Sequence, residues 1–380
     1  ASDVYKRQVK LSSQMEEMRG KVKKVLIFGL SSLYAGVEAL ILNYVNHLDE
    51  NEYAVDLVVA ERKPEYIDDK LLRNVDIRIV PNRVRNYVAY VKSMDKIVET
   101  GGYDIVWANF CTLTDIQVLK SAQKYDVPIR IAHSHNSENM GSFLVMATHL
   151  MNKKKIIQYA NKFYACSDFA GEFMFGRKIV ESKDYKIIPN AIEASKYRFT
   201  PEIREQIREK MQLSNKIVVG HVGRFHFQKN HTQLIKIYKK FLEKKSNSIL
   251  LLVGTGNLMD EIKQLVHREG IEGNVLFLGN RSDVNDLMQA MDVLLFPSLF
   301  EGLPVTLIEA QAAGLPCVIS DKITKQAQIT DLIKYESLDA PLENWVDDIE
   351  QSLLIKRSDY LGTIQNAGYD VCECATWLFD

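Results

Sequence analysis

No hydrophobic run in this sequence approaches the roughly 20 residues that a helix needs to cross a bilayer. No charge of either sign is in excess, since 48 Lys and Arg stand against 49 Asp and Glu, a formal net charge of −1. The first lack excludes a helical membrane span. The second removes the global positive field that nucleic-acid binding draws on, so no nucleic-acid partner is expected. Cysteine is scarce and odd in number, the five being Cys111, Cys166, Cys317, Cys372 and Cys374. Only Cys372 and Cys374 lie close together, and they lack a second pair at zinc-site spacing. Disulfide scaffolding and a structural metal are therefore not expected, and the thiols fit a reducing compartment. No signal-peptide pattern opens the chain. With no low-complexity tract or short repeat either, a cytoplasmic globular protein is expected.

What is present is a 380-residue chain with 46% hydrophobic and 26% charged residues. At roughly 150 residues per domain, that length suggests two or three domains. Residues 1–20 read as a tail. Within it, Asp3-Val4-Tyr5-Lys6-Arg7-Gln8 back-translates to the end of a transposase adapter used in DNA library preparation, so residues 1–8 are set aside as foreign to the fold. Short apolar runs of the buried-strand kind then recur at residues 25–28, 55–59, 77–80, 104–107 and 129–132, with helical stretches between them. After a charged, helix-prone stretch at 201–211 the pattern restarts at 217–220, 249–253, 275–278, 293–296 and 317–319. Strands alternating with helices predict an α/β protein with two Rossmann-like, doubly wound parallel-sheet domains. In such sheets ligands sit beyond the carboxyl ends of the strands, and the unusual residues cluster there.

Two stretches carry the most chemistry. In Phe296-Pro297-Ser298-Leu299-Phe300-Glu301-Gly302-Leu303-Pro304 a strand ends and Pro304 suits the first turn of a helix, which Gly314 and Pro316 then close. Glu301 lies at the helix mouth, where it either caps the helix or meets a ligand. Glu309 lies inside a helix otherwise made of Val305, Leu307, Ile308, Ala310 and Ala312. An apolar surrounding opposes an ionised carboxylate unless donors reach it, and sugar or ribose hydroxyls are such donors. The other stretch, Gly223-Arg224-Phe225-His226-Phe227-Gln228-Lys229-Asn230, presents two cations from a loop between a strand and a helix. A guanidinium and an ammonium there suit phosphate oxygens, although two solvated surface cations would look the same.

Gly-Arg-x4-Lys-Asn followed by Glu-Gly-Leu-Pro-x4-Glu resembles the group 1 (family 4) retaining glycosyltransferases of the GT-B fold. The likeness extends to Ile131-Ala132-His133-Ser134-His135-Asn136, Ile188-Pro189-Asn190-Ala191-Ile192, Gly254-Thr255-Gly256 and Phe277-Leu278-Gly279-Asn280-Arg281-Ser282-Asp283-Val284. It is nearest to bacterial enzymes of capsular or exopolysaccharide assembly. The resemblance implies two domains facing across a cleft: an acceptor-side domain at 21–195, a nucleotide-sugar domain at 196–356, and a last helix within 357–380 crossing back to the first. It implies that Arg224 and Lys229 grip the donor diphosphate, Glu309 the ribose, and Glu301 the donor sugar. Gly223, Gly254 and Gly256 line the nucleotide site with Gly302, Leu303 and Pro304, and the backbone around Arg281–Val284 frames the base. His135 faces the transferred sugar, and Glu301, His135, Arg224 and Lys229 form the catalytic set. The co-substrate is a nucleotide-sugar, UDP-linked ahead of GDP-linked, with no other cofactor. The acceptor is a saccharide or lipid-linked saccharide. Two cations and a helix N-terminus would stabilise the leaving diphosphate in place of a metal.

The first turn departs from the family. Where members show Gly-Gly followed by Glu, this chain reads Ala35-Gly36-Val37-Glu38, which puts the acceptor-side loop in question more than the donor side. His133 and His135 share one face of a strand end, but no third ligand stands at a metal-site spacing. Residues 141–163 set Phe143, Leu144, Met146, Leu150 and Met151 beside Lys153, Lys154 and Lys155. Such a stretch suits an anionic membrane surface at the inner face of the cell membrane, and equally a helix that packs its apolar face inward. A dinucleotide oxidoreductase is disfavoured, because the first turn has Gly29-x6-Gly36 and not Gly-x-Gly-x-x-Gly. A nucleotide-sugar epimerase and a non-catalytic sugar-nucleotide-binding subunit are the remaining alternatives.

Overall fold

The computed structural model describes residues 22–32, 36–67, 75–136, 142–301 and 303–380. The tail, Ala35 and Gly302 therefore lie outside the described residues. The chain divides into two units, one formed by residues up to Pro189 together with Cys374–Asp380, the other by Asn190–Glu373.

The first unit is a seven-stranded sheet in the order β3-β2-β1-β4-β5-β6-β7. Its strands are β1 (Lys23–Phe28), β2 (Tyr53–Ala60), β3 (Val75–Val80), β4 (Ile105–Phe110), β5 (Ile129–Ser134), β6 (Lys162–Ala165) and β7 (Tyr185–Ile187). Every pairing is parallel. Helices cover both faces, so the central strands are shielded on both sides and read as continuous apolar runs: Val25, Leu26 and Ile27, and all six residues of β4, are buried. Trp107 of β4 is fully buried, with Tyr44 and Phe379 edge-on to its indole at 6.3 and 5.8 Å.

The second unit is a six-stranded parallel sheet in the order β10-β9-β8-β11-β12-β13. It comprises β8 (Ile217–Val222), β9 (Ser248–Val253), β10 (Val275–Gly279), β11 (Val293–Phe296), β12 (Cys317–Ser320) and β13 (Ile333–Glu336). In both sheets the third strand lies outermost on one side and the order reverses beside the first strand. The reversal falls between β1 and β4 and between β8 and β11, the position at which ligands bind in open sheets of this kind. Strands β6, β7 and β13 were not among the runs marked from the sequence. Each has three or four residues, stands at or near a sheet edge, and carries lysine (Lys162, Lys186, Lys334) where the central strands are apolar.

The last expected helix is broken into pieces. Leu361–Asn366 ends before Gly368 at φ +79°, a single turn spans Val371–Cys374, and a 3₁₀ turn spans Ala375–Trp377.

Candidate functional site

At the switch point of the second sheet, the loop after β8 and the loop after β11 are stitched together by one backbone bond and two side-chain amides. Leu299 donates its N–H to the Gln228 carbonyl at 2.8 Å, Gln228 Nε2 donates to the Phe300 carbonyl at 3.0 Å, and Asn230 Nδ2 donates to the Pro297 carbonyl at 3.1 Å. Asn230 is left-handed (φ 52°, ψ 47°), a conformation that asparagine tolerates, and it turns the chain from the 3₁₀ turn Phe227–Lys229 into the helix His231–Lys244.

That stitching brings Lys229 and Glu301 into a 2.6 Å ion pair, with 16% and 8% of their side chains exposed. Gln228 Nε2 reaches the other carboxylate oxygen at 3.3 Å. Glu301 therefore does not cap the following helix. That helix, Val305–Ala312, begins after Pro304 with no side-chain cap, one residue later than expected. Arg224 is exposed at the loop's mouth and, among the described residues, makes no ion pair. Leu303 packs half-buried on the unit's core and Pro304 is buried.

The glycines act through close approach. A Cβ on Gly254 (φ +133°) would stand 2.1 Å from the Gly223 carbonyl oxygen, and one on Gly256 would stand 2.3 Å from the Phe225 carbonyl oxygen. The loop after β9 is thus pressed onto the loop after β8, and Phe225 N–H bonds the Thr255 carbonyl at 3.0 Å across that contact. These residues hold the Arg224 loop in place. Arg281 is forked onto Asp283 at 2.8 and 2.6 Å, so its guanidinium is engaged, and Val284 opens the helix Val284–Ala290.

Glu309 lies on the helix Val305–Ala312 between buried Ile308 and Ala310. Tyr197 donates its hydroxyl to Glu309 Oε1 at 2.7 Å. Burial pushes the Glu309 carboxyl up from the usual range, and the Tyr197 bond draws it partly back. Tyr197 belongs to the turn Ala194–Tyr197, 112 residues away in sequence. Nothing in the local sequence of Tyr197 marks it as a partner of Glu309.

A histidine pair lies beneath Lys229, also unassigned from sequence. His221 is stacked on Phe296 at 5.4 Å with Nδ1 2.9 Å from the Leu295 carbonyl, and His231 stands edge-on to it at 4.8 Å. Burial drives both imidazoles down, His221 well below its ordinary value and His231 to about 4, with Lys229 adding to the second. Both are neutral at pH 7.

In the first unit His135 follows β5. Its Nε2 lies 2.8 Å from Asn109 Oδ1, and Asn109 Nδ2 in turn donates to the Phe28 carbonyl at 3.2 Å. With Oδ1 as acceptor, His135 is the Nε2–H tautomer, and burial lowers its pKa to about 3. His133 lies tilted against it at 4.1 Å and accepts from Trp107 Nε1 at 3.1 Å, and it is fully buried, which makes it a core residue. Glu38, in the first turn of the helix Gly36–Val45, is buried and accepts the Ser31 N–H at 3.0 Å. A cavity of about 710 Å³ opens beside this loop, at the carboxyl ends of β1 and β2, lined among others by Ser31, Arg62, Tyr66 and Asn82. No sequence motif had singled out Arg62, Tyr66 or Asn82.

The helix Phe143–Lys153 turns its apolar face outward. Phe143 and Leu144 are 85% and 74% exposed, and Leu150 and Met151 are exposed as well. Its inner face carries His149, stacked on Phe173 at 4.7 Å, and Asn152, which donates to the Leu113 carbonyl at 2.6 Å. Lys153 bends inward to donate to the Glu172 and Phe173 carbonyls, leaving Lys154 and Lys155 exposed. Among the described residues no group of three or more His, Cys, Asp or Glu could hold a metal, and no helix is long and apolar enough to cross a membrane.

Comparison with known proteins adds a second line. The profile of the family Glycosyl transferases group 1 matches residues 203–336, and that of Glycosyltransferase Family 4 matches residues 34–196. The putative glycosyltransferase EpsF of Bacillus subtilis is 31% identical over 368 residues, covering 93% of this chain and 94% of the relative. An Escherichia coli UDP-Gal:alpha-D-GlcNAc-diphosphoundecaprenol alpha-1,3-galactosyltransferase is 27% identical over 329 residues, 81% of each chain. Among solved structures, Anabaena HepE in complex with UDP superposes with a TM-score of 0.74 at 19% identity, covering 94% of this chain and 98% of its own.

Proposed function

The chain belongs to the group 1 glycosyltransferases and has their GT-B fold, and from that membership we propose that it moves a hexose-type sugar, with retention of anomeric configuration and without a metal, from a nucleotide-sugar to a saccharide or lipid-linked acceptor. A UDP-sugar is the favoured donor and a GDP-sugar the second. Capsular, exopolysaccharide or other cell-surface glycan assembly is the setting, in the cytoplasm at the inner face of the membrane. The E. coli relative is named for UDP-Gal and a diphosphoundecaprenol-linked acceptor, and HepE has been solved with UDP-glucose. Both support the donor class, and the first supports a lipid-linked acceptor.

The observation that carries the reading is the Lys229–Glu301 ion pair at the switch point of the second sheet, with Arg224 exposed on the same post-β8 loop. Breaking an anomeric C–O bond to a diphosphate builds negative charge on the leaving oxygen and positive charge on the sugar ring. Arg224 and Lys229 answer the first, and a carboxylate and nearby carbonyls answer the second. Glu309 takes the ribose hydroxyls and the backbone of Arg281–Val284 frames the base. Gly223, Gly254 and Gly256 keep the phosphate loop close. His135, neutral with a fixed Nε2–H, and the Arg62–Tyr66–Asn82 cavity serve the acceptor side. The outward apolar stripe of Phe143–Lys153, ended by Lys154 and Lys155, supports work at an anionic membrane surface.

A thermal-shift screen against UDP, GDP, ADP and their sugar conjugates tests the donor class. A true donor nucleotide at 100 times its Kd stabilises the fold by about 2.7 kcal/mol. Sugar transfer measured with and without EDTA follows, and it should be unchanged by the chelator. A folded protein that responds to no nucleotide would refute the proposal, and activity lost to EDTA would remove the metal-free part of it.

A further inference from the structure

The Lys229–Glu301 pair is held from several sides. A Cβ on Gly223 would stand 3.3 Å from Lys229 Cδ and Cε and 3.1 Å from His221 Nε2, so the lysine stem is confined between the loop backbone and the imidazole. Its ammonium lies 4.5 Å over the Phe296 ring. On the carboxylate side, Gln228 Nε2 at 3.3 Å is, among the described residues, the other side-chain donor on Glu301. The two imidazoles beneath cannot substitute as cations, because burial keeps both neutral at pH 7. Arg224 points to solvent outside the pair. Among the described residues, a carboxylate that is only 8% exposed thus has Lys229 as its one cationic partner. It is also the cation that a diphosphate would take.

We infer that Glu301 competes with the donor's phosphates for Lys229, and that through this competition it sets the preference for a sugar-bearing nucleotide over the bare nucleoside diphosphate. The inference rests on the reading of these loops as the donor site. An anion that captures Lys229 strands Glu301 next to a like charge. A sugar-bearing donor brings hydroxyls that donate to the freed carboxylate, so the exchange leaves no buried charge unanswered. A spent nucleoside diphosphate brings none, and Glu301 can reclaim Lys229 only by displacing it. The ion pair therefore favours entry of the loaded donor and departure of the product. Glu301 acts in this exchange as a specificity-determining residue, in addition to any contact it makes with the reacting sugar.

Titration calorimetry on the full chain tests the exchange with UDP and UDP-glucose, or with the GDP or ADP pair if that is the pair that binds. Four proteins are compared: wild type, E301Q, K229M and the double variant. E301Q should bind the bare diphosphate on the order of tenfold tighter than wild type, about 1.4 kcal/mol. The sugar-nucleotide should gain less, so the ratio between the two falls. In the K229M background E301Q should give little gain, because the competed cation is gone. An E301Q protein that binds the diphosphate no tighter, or a gain that persists undiminished in K229M, overturns the exchange while leaving the donor site standing. Wild type that binds no nucleotide of the panel overturns the donor reading and this inference with it. One readout needs no variant: wild type must bind the sugar-nucleotide more tightly than the bare diphosphate, and the reverse order overturns the inference even if E301Q fails to fold.

Discussion

Glu309 is a carboxylate held in an apolar helix, met by the Tyr197 hydroxyl at 2.7 Å. Its pKa is raised by burial, so the folded protein takes up a proton there more readily than the unfolded chain does. The stability it contributes is fully present below the unfolded pKa and is lost as pH rises through the raised folded value. Gln has nearly the same shape, can still accept from Tyr197, and does not titrate. E309Q should therefore be at least as stable as wild type at neutral pH, with the advantage shrinking as pH falls toward the ordinary carboxylate range. Melting curves across that range check the sign. The same substitution should weaken nucleotide binding, since a hydrogen bond to a charged group contributes about 1.5–3 kcal/mol, roughly ten- to hundredfold. A stabilised protein with undiminished nucleotide affinity would remove Glu309 from the ribose site. Glu309 and Lys229 were legible in the sequence because a carboxylate in an apolar helix and a cation on a post-strand loop are locally unusual. Tyr197 and the His221–His231 pair were not. Their significance comes from partners that only the folded sheet brings near, and an isolated tyrosine or histidine beside apolar residues is ordinary core chemistry.

At the level of elements, legibility followed burial. Strands β1, β4, β8, β9 and β11 lie inside their sheets and are apolar on both faces, which makes them visible as continuous runs. The short outer strands β6, β7 and β13 mix lysine with aromatic or β-branched residues and are hard to tell from turns. The helix Phe143–Lys153 illustrates a different limit. Its amphipathicity was clear, but the pattern could not say which face points inward, and in the structure the His149–Asn152 face does. At 100° per residue, Phe143, Leu144, Leu150 and Met151 fall in one outward arc. Fully removing an apolar side chain of this size from water is worth about 1.5–3 kcal/mol, and each lysine near an anionic surface adds about 1 kcal/mol. Replacing Phe143 and Leu150 together with Ser should lower binding to vesicles containing anionic lipid at least tenfold, without lowering the melting temperature, because both side chains are exposed. Sedimentation with anionic and with neutral vesicles, at low and high salt, checks it. Equal binding by the variant, or wild type that ignores lipid charge, would reassign the stripe to a protein partner.

Across the whole molecule, the chain forms its first sheet unit, then the second, and then comes back to the first with Cys374–Asp380. The returning segment is fastened by contacts that local sequence does not announce. Phe379 packs against Tyr53 at 5.4 Å and Trp107 at 5.8 Å, Tyr164 donates its hydroxyl to the Leu378 carbonyl at 2.8 Å, and Lys186 Nζ reaches the Trp377 carbonyl at 2.7 Å. Phe379 is 4% exposed, so it completes the core around Trp107. Truncating a buried Phe to Ala typically costs about 3–5 kcal/mol, which in a unit of this size lowers Tm by on the order of 10 °C. F379A should therefore depress the calorimetric transition of the first unit. The transition of Asn190–Glu373, identified as the one that the bound nucleotide raises, should keep its place, because Phe379 packs on Tyr53 and Trp107 of the first unit's core. The two-unit description requires this separation. If F379A lowered the nucleotide-raised transition by the same amount, the units would be unfolding as a single cooperative body, and the C-terminal return would act as a clasp on the whole protein and not only as a piece of the first core.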